Sequence, residues 1–279
     1  MDKRAVHTTV SYLKKKPNYE HEKLYTLNYE SGDDLPRTNI SNEHKKVLIH
    51  DLRDKQSAAS LEAYRFGLLS LKSGLAHDEF NSPTRVEEVY YPQVLTLLRK
   101  VFPGAKSIFV LEHLLRKRHA TFPIATGTDY EHTQPTTIVH IDFTNESAAK
   151  TGELAFNMPP SKYSRLVTVN IWKPLNGPIT DWPLALCDPQ TVDYPTQAVS
   201  ADVVSADRYN ENSRLYYSEA HRWHYFDNMQ EDEAVFFVQT DSDIPHGGGV
   251  PHTSFFNPLA PKDAKPRESI ETRAFVYYS

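Results

Sequence analysis

Thr136-Thr-Ile-Val-His-Ile-Asp-Phe143 alternates in the manner of a β-strand. A period of two puts His140 and Asp142 on one face, a single strand-repeat apart. An imidazole and a carboxylate so spaced can close on one ion from one side. A second imidazole from a distant strand would complete a facial set of two histidines and one carboxylate. Such a set leaves one face of an octahedral ion open, as iron(II) oxygenases require. His252, in Val250-Pro-His-Thr-Ser-Phe-Phe256, lies in another strand-like run and is the candidate for that ligand. The chain holds 13 His, and a His-x-Asp arises by chance at this content, so spacing alone leaves a structural or surface role open.

Outward from this segment the pattern repeats. Short apolar runs at 108–113, 165–173, 184–187, 221–226, 234–240, 251–256 and 269–278 are separated by Pro, Gly, Asn and Asp, and with 136–143 they predict eight strands. That number suits an antiparallel sandwich or barrel. The first hundred residues read as mixed. Val47–His50 is a short strand candidate. Leu61, Tyr64, Leu68 and Leu71 predict a helix over 60–72, with Gly74 as its cap. Ser82-Pro83 opens a second helix, kinked at Pro92 and ended by Pro103-Gly104. The expectation is a single domain over 1–279, mainly β with flanking helices. Residues 1–106 buttress a double-stranded β-helix, a jelly-roll of the cupin type, over 107–279.

Composition excludes several functions. A net charge of −5 gives no phosphate-tracking surface, and Arg116-Lys-Arg-His119 is too short to supply one, so nucleic acid is not expected as a partner. That run reads as a solvated helix end. No apolar run approaches the ~18 residues a membrane helix needs. The start of the chain lacks the apolar core of a secretory signal. Cys187 is the only cysteine, which fits a reducing compartment and a cytoplasmic protein. The 16 Tyr and 13 Phe suit an apolar pocket and an apolar small-molecule substrate.

Other candidates are weaker chelators or belong to other chemistries. His50-Asp51 and His77-Asp78 are adjacent pairs that point to opposite faces of a strand. His246-Gly-Gly-Gly249 has the composition of an esterase oxyanion loop, but no G-x-S-x-G elbow accompanies it. A dicarboxylate cosubstrate needs a fixed cation. Arg273, with apolar neighbours in the last strand, is the first choice, and an internal pair with Glu271 or Glu268 is the bland alternative. Arg267 and Ser269 share its face. A hairpin turning near residue 262 would set Arg273 across from His252. By parity Asn170 and Trp172 could line a substrate pocket, or could be core. His224 and Tyr225 are equally ambiguous, and Lys173 reads as surface.

Several stretches carry a family resemblance: Tyr90-Tyr-Pro, Val139-His-Ile-Asp-Phe143, Val169-Asn-Ile-Trp-Lys-Pro-Leu175, Pro183-Leu-Ala-Leu-Cys-Asp188, Arg222-Trp-His-Tyr-Phe226, Asp241-Ser242, Pro251-His-Thr-Ser-Phe255 and Pro266-Arg-Glu-Ser-Ile-Glu-Thr-Arg-Ala274. In these the chain resembles the fungal AsaB-like and CmcJ-like hydroxylase/desaturase family of secondary metabolism. The resemblance implies iron(II), 2-oxoglutarate and dioxygen, with His140, Asp142 and His252 as metal ligands. It also implies oxidation of a secondary metabolite, by hydroxylation or desaturation. Asp142 stands where related halogenases leave room for chloride, which argues against halogenation. Gly247–Gly249 before His252 departs from the family pattern and reads as a lid or a variable loop. The competing readings are a metal-binding barrel without oxygenase activity, such as an isomerase or sensor, and a purely structural sandwich. Oligomeric state is not legible.

Overall fold

The computed structural model describes residues 5–29, 35–53, 60–124, 130–206 and 209–279. Its strands are β1 (Ala5–Leu13), β2 (Leu24–Leu27), β3 (Asn42–Asp51), β4 (Phe66–Ser70), β5 (Ser107–Lys117), β6 (His140–Ile141) and β7 (Arg165–Pro174), followed by β8 (Leu184–Cys187), β9 (Ala198–Val204), β10 (Tyr209–Leu215), β11 (Trp223–Tyr225), β12 (Glu233–Asp241), β13 (His252–Ser254) and β14 (Glu268–Tyr278). They form a nine-stranded sheet, β1-β3-β11-β8-β13-β6-β10-β9-β2, and a five-stranded sheet, β4-β12-β7-β14-β5. The two sheets face each other around a shared interior, which is the expected jelly-roll. Trp172 and Phe237 of the five-stranded sheet pack there against Leu184 and Leu186 of the other.

Parity along β7 separates two environments. Val167, Val169 and Ile171 join the core under the helical layer, whereas Asn170 and Trp172 face inward. The helical layer is α1 (Pro83–Arg85), a π-turn (Val86–Tyr90) and α2 (Tyr91–Val101). Ser82 caps it, its Oγ accepting from Arg85 N at 3.4 Å. Pro92 cannot donate into the helix ladder. The chain absorbs this through the wider turn, in which Tyr91 N–H bonds to Val86 O. Val86, Tyr90, Val94 and Leu98 are fully buried on the sheet.

The helix expected over 60–72 is not formed. Ser60–Leu61 begin turns, with Tyr64 N donating to Ser60 O at 3.0 Å, and Arg65 then takes a φ of 60°. From Phe66 the chain becomes β4, in register with β12 from Phe66↔Phe237 to Ser70↔Glu233. Pairing with a buried strand and burial of Phe66 and Leu68 override a weak helical period. The hairpin expected between the last two strand runs is also absent. β13 lies in the nine-stranded sheet and β14 in the five-stranded sheet, so Arg273 pairs with Asn170 and Glu112 rather than facing His252. Residues before 106 also supply β1, β2, β3 and β4 to the sheets. The run at Arg116 is the end of strand β5, not a helix end.

Candidate metal centre

β6 is short because Thr144 starts a helix, α3 (Asn145–Phe156), immediately after it. Thr144 Oγ1 accepts from Ser147 N at 3.1 Å and Ser147 Oγ accepts from Thr144 N at 3.0 Å, a reciprocal cap. The strand therefore presents His140 and Asp142 at its end, on one face. β13 lies beside it with His252 directly opposite His140, so the two imidazoles share that face and their centroids are 4.3 Å apart. One ligand atom from each of His140, Asp142 and His252 falls within 4.8 Å of the others.

The hydrogen bonds fix what these atoms can do. His140 Nδ1 is 2.8 Å from Ile138 O and His252 Nδ1 is 3.2 Å from Val250 O. A carbonyl only accepts, so each Nδ1 carries the proton and donates. Each ring then turns its Nε2 inward, at 3.4 Å (His140) and 4.0 Å (His252) from oxygens of Asp142, and as a metal ligand that nitrogen presents a lone pair. Lone pairs facing a carboxylate repel, and a cation between them removes the conflict. Burial, with the charge of His140 second, pushes the His252 pKa down to about 3, so the ring stays neutral as a ligand must. Burial alone would raise Asp142. Arg273 first, then His140 and His252, outweigh it and hold the carboxyl well below its ordinary range. Asn170 Nδ2 donates to Asp142 Oδ2 at 2.6 Å, and Phe237 packs edge-on against His252 at 4.8 Å.

Beside both imidazoles is a narrow cleft of about 20 Å³ lined by Trp172, Arg116, Arg267, Ser254 and Glu271, among others. Arg267 is almost wholly buried. Its Nη1 donates to Trp182 O at 2.6 Å and to Ser254 Oγ at 2.8 Å, both neutral, and its Nε has no partner. Burial, with Arg116 second, lowers its pKa to about 9. Ser269, two residues on, is buried with its Oγ unpartnered. Arg273 differs. Its Nη1 bonds Glu112 at 2.9 Å, and its Nη2 lies 3.2 Å from Asp142 Oδ1 and 3.3 Å from Glu271 Oε1. The internal pairing of Arg273 with Glu271 weighed above is therefore present.

Among the other sequence candidates, Asn170 touches Asp142, and Trp172 lines the cleft under the Arg267 guanidinium at 5.5 Å. His224 is buried against Tyr64 and Phe66, apart from the three. Lys173 is buried, not surface, and donates to Glu231 O. Gly247–Gly249 are buried rather than an open lid. Sequence reading missed Arg116, Glu112 and Gln239, whose Oε1 accepts from Asp142 N at 2.7 Å. Inward parity of Glu112 and Arg116 along β5, opposite Arg273 and Ser269, is the signal that finds the first two.

A family model described as "Oxidoreductase/YMDC permease-like domain" matches residues 10–277. Among the described residues no helix is long and apolar enough to cross a membrane. The chain is similar to "Hydroxylase/desaturase poxK" of Penicillium oxalicum, with 26% identity over 277 residues, covering 87% of this chain and 82% of the relative. It is similar to "Fe(II)/2-oxoglutarate-dependent dioxygenase nvfI" of Aspergillus novofumigatus, 26% identical over 242 residues and covering 83% of each. A solved structure of "iron and alpha-ketoglutarate-dependent endoperoxidase NvfI" superimposes with a TM-score of 0.83 over 99% of both chains at 23% identity, which shows a shared fold.

Proposed function

This chain belongs to the oxidoreductase/YMDC permease-like domain family, and from that premise we propose that it is an iron(II)- and 2-oxoglutarate-dependent oxygenase that hydroxylates or desaturates a small secondary metabolite. The observation that carries the reading is the convergence of two Nε2 lone pairs and the Asp142 carboxylate, with both Nδ1 protons committed to backbone carbonyls. Two imidazoles and one carboxylate on one side suit iron(II) with an open face. His140, Asp142 and His252 would hold the ion. When bound, iron(II) supplies the coupling of dioxygen-driven 2-oxoglutarate decarboxylation, yielding succinate and carbon dioxide, to oxidation of a substrate C–H bond.

The chain's own groups orient and dry this chemistry. Ile138 O and Val250 O fix the ring planes, and Asn170 on Oδ2 with Arg273 on Oδ1 fixes the carboxylate. Arg267 is the anchor for the far carboxylate of 2-oxoglutarate, because its guanidinium hydrogen-bonds only to neutral acceptors and its Nε has no partner. Ser269 adds a hydroxyl beside it. Arg273, ranked first on sequence grounds, already serves three carboxylates and is assigned instead to positioning Asp142. Trp172 and Phe237 exclude water on the imidazole side. The one free cysteine supports a cytoplasmic catalyst, and residues 1–279 are taken as one oxygenase domain.

The test is anaerobic reconstitution. Iron content near one per chain, 2-oxoglutarate binding that needs iron, and succinate formation on admitting dioxygen are expected. A chain that retains no iron in excess of the His252→Ala variant would overturn the assignment.

A further inference from the structure

Arg273 lies six residues beyond Arg267, about 20 Å further along the strand, and a second, wider cleft opens there. Its volume is about 550 Å³. Leu111, Phe143, Leu154 and Ala155 give it apolar walls. Phe143 follows Asp142 directly, and Asn210, also in the wall, donates to Asp142 O at 3.2 Å. The cleft therefore adjoins Asp142, through Asn210 on its backbone O and Arg273 on its carboxylate, on the side away from Arg267. Leu154 is 78% exposed, an apolar side chain on α3 that an occupant of the cleft would cover.

The charges at its floor define the occupant. One guanidinium, Arg273, faces three carboxylates: Glu112, Glu271 and Asp142. Arg273 is thus already matched by carboxylates, and the floor offers a ligand anion no unpaired guanidinium. Glu112 is the partly exposed member, at 37%. A carboxylate has about four acceptor sites, so it can take a ligand hydroxyl in addition to Arg273.

We propose that this cleft is the substrate site and that it takes a neutral, mostly apolar molecule through a hydroxyl donated to Glu112. The proposal rests on the oxygenase reading above. Three probes of one shape test it: 2-naphthol, 2-methylnaphthalene and 2-naphthoate, titrated by fluorescence into the protein loaded with iron(II) and 2-oxoglutarate under nitrogen. 2-Naphthol should bind about tenfold tighter than either of the others. Leu154→Trp should weaken 2-naphthol about tenfold while iron content and 2-oxoglutarate affinity stay as they were. Glu112→Leu should bring 2-naphthol down to the level of 2-methylnaphthalene. Equal binding of 2-naphthoate, no binding of 2-naphthol, or 2-naphthol binding unmoved by Leu154→Trp would overturn the proposal and leave the oxygenase reading standing. Failure of the unmodified protein to hold iron and 2-oxoglutarate strikes that reading instead.

Discussion

At Asp142 a single carboxylate is held by two groups, Asn170 on Oδ2 and Arg273 on Oδ1. Partners of this kind typically contribute 10–100-fold to metal affinity. Asn170→Leu keeps the volume but loses the donor, so iron affinity should fall by about that factor, read by competition with a chelator. The two arginines separate by a different measurement. Arg267→Leu should raise the 2-oxoglutarate KM about 100-fold, ~2.8 kcal/mol at about 1.4 per tenfold, with iron content unchanged. Arg273→Leu should instead lower stability by about 3–5 kcal/mol, because Asp142, Glu271 and Glu112 lose their shared cation. A cosubstrate effect confined to Arg273→Leu would reverse these roles. The pairing of His140 with Asp142 was legible because strand parity needs no tertiary information. The roles of the arginines were not, because they depend on which sheet β14 joins, and a proline-rich linker between two strands looks the same whether it closes a hairpin or crosses between sheets.

Elements with strong local signals were read from sequence: the Ser82-Pro83 helix start, and the cores of β7, β12 and β14. Those without them were not. β9 and β10 carry polar sequences such as Ser200-Ala-Asp202 and Asn210-Glu-Asn-Ser213, whose pairing is set by neighbours rather than by hydropathy. β4 hides in a helical period. The packing of the glycine run before β13 explains why at least one of its positions is small. A Cβ at Gly249 would sit 1.9 Å from Gln239 O and 2.7 Å from Ile141 Cγ2. Gly249 thus lets the chain entering β13 lie flat against β12 and beside β6, which sets His252 opposite His140. Gly249→Ala should cost about 1–3 kcal/mol as overpacking, seen as a lower denaturation midpoint, and should weaken iron binding in the same variant. An alanine variant with unchanged iron affinity would show that this close approach does not set the position of His252.

Over the whole molecule, the N-terminal strand is tied to the barrel by a polar chain whose proton count is fixed. Trp223 Nε1 donates to Tyr12 Oη at 2.9 Å, and Tyr12 Oη lies 2.9 Å from His221 Nδ1. His221 Nε2 in turn lies 2.8 Å from Gln197 Oε1, on the stretch leading into β9. Indole only donates and an amide oxygen only accepts. The phenol therefore donates to Nδ1, and His221 is neutral with its proton on Nε2. Protonating Nδ1 would set two donors against one phenol oxygen that already accepts from Trp223. Burial independently lowers the His221 pKa to about 4. The folded value lies below the ordinary one near 6.5, so the unfolded chain takes up the proton first as pH falls. Stability from this site is complete above about pH 6.5 and is lost on going down toward pH 4. Discounted for partial exposure, the loss is roughly 1–2 kcal/mol. His221→Gln cannot titrate, so its unfolding free energy should fall less between pH 7 and pH 4.5 than that of the unmodified chain, whatever its offset at pH 7. Parallel pH profiles for the two proteins would mean that the Tyr12–His221–Gln197 chain opens before it protonates, and that acid sensitivity resides elsewhere, with the buried, neutral His252 as the next group to replace.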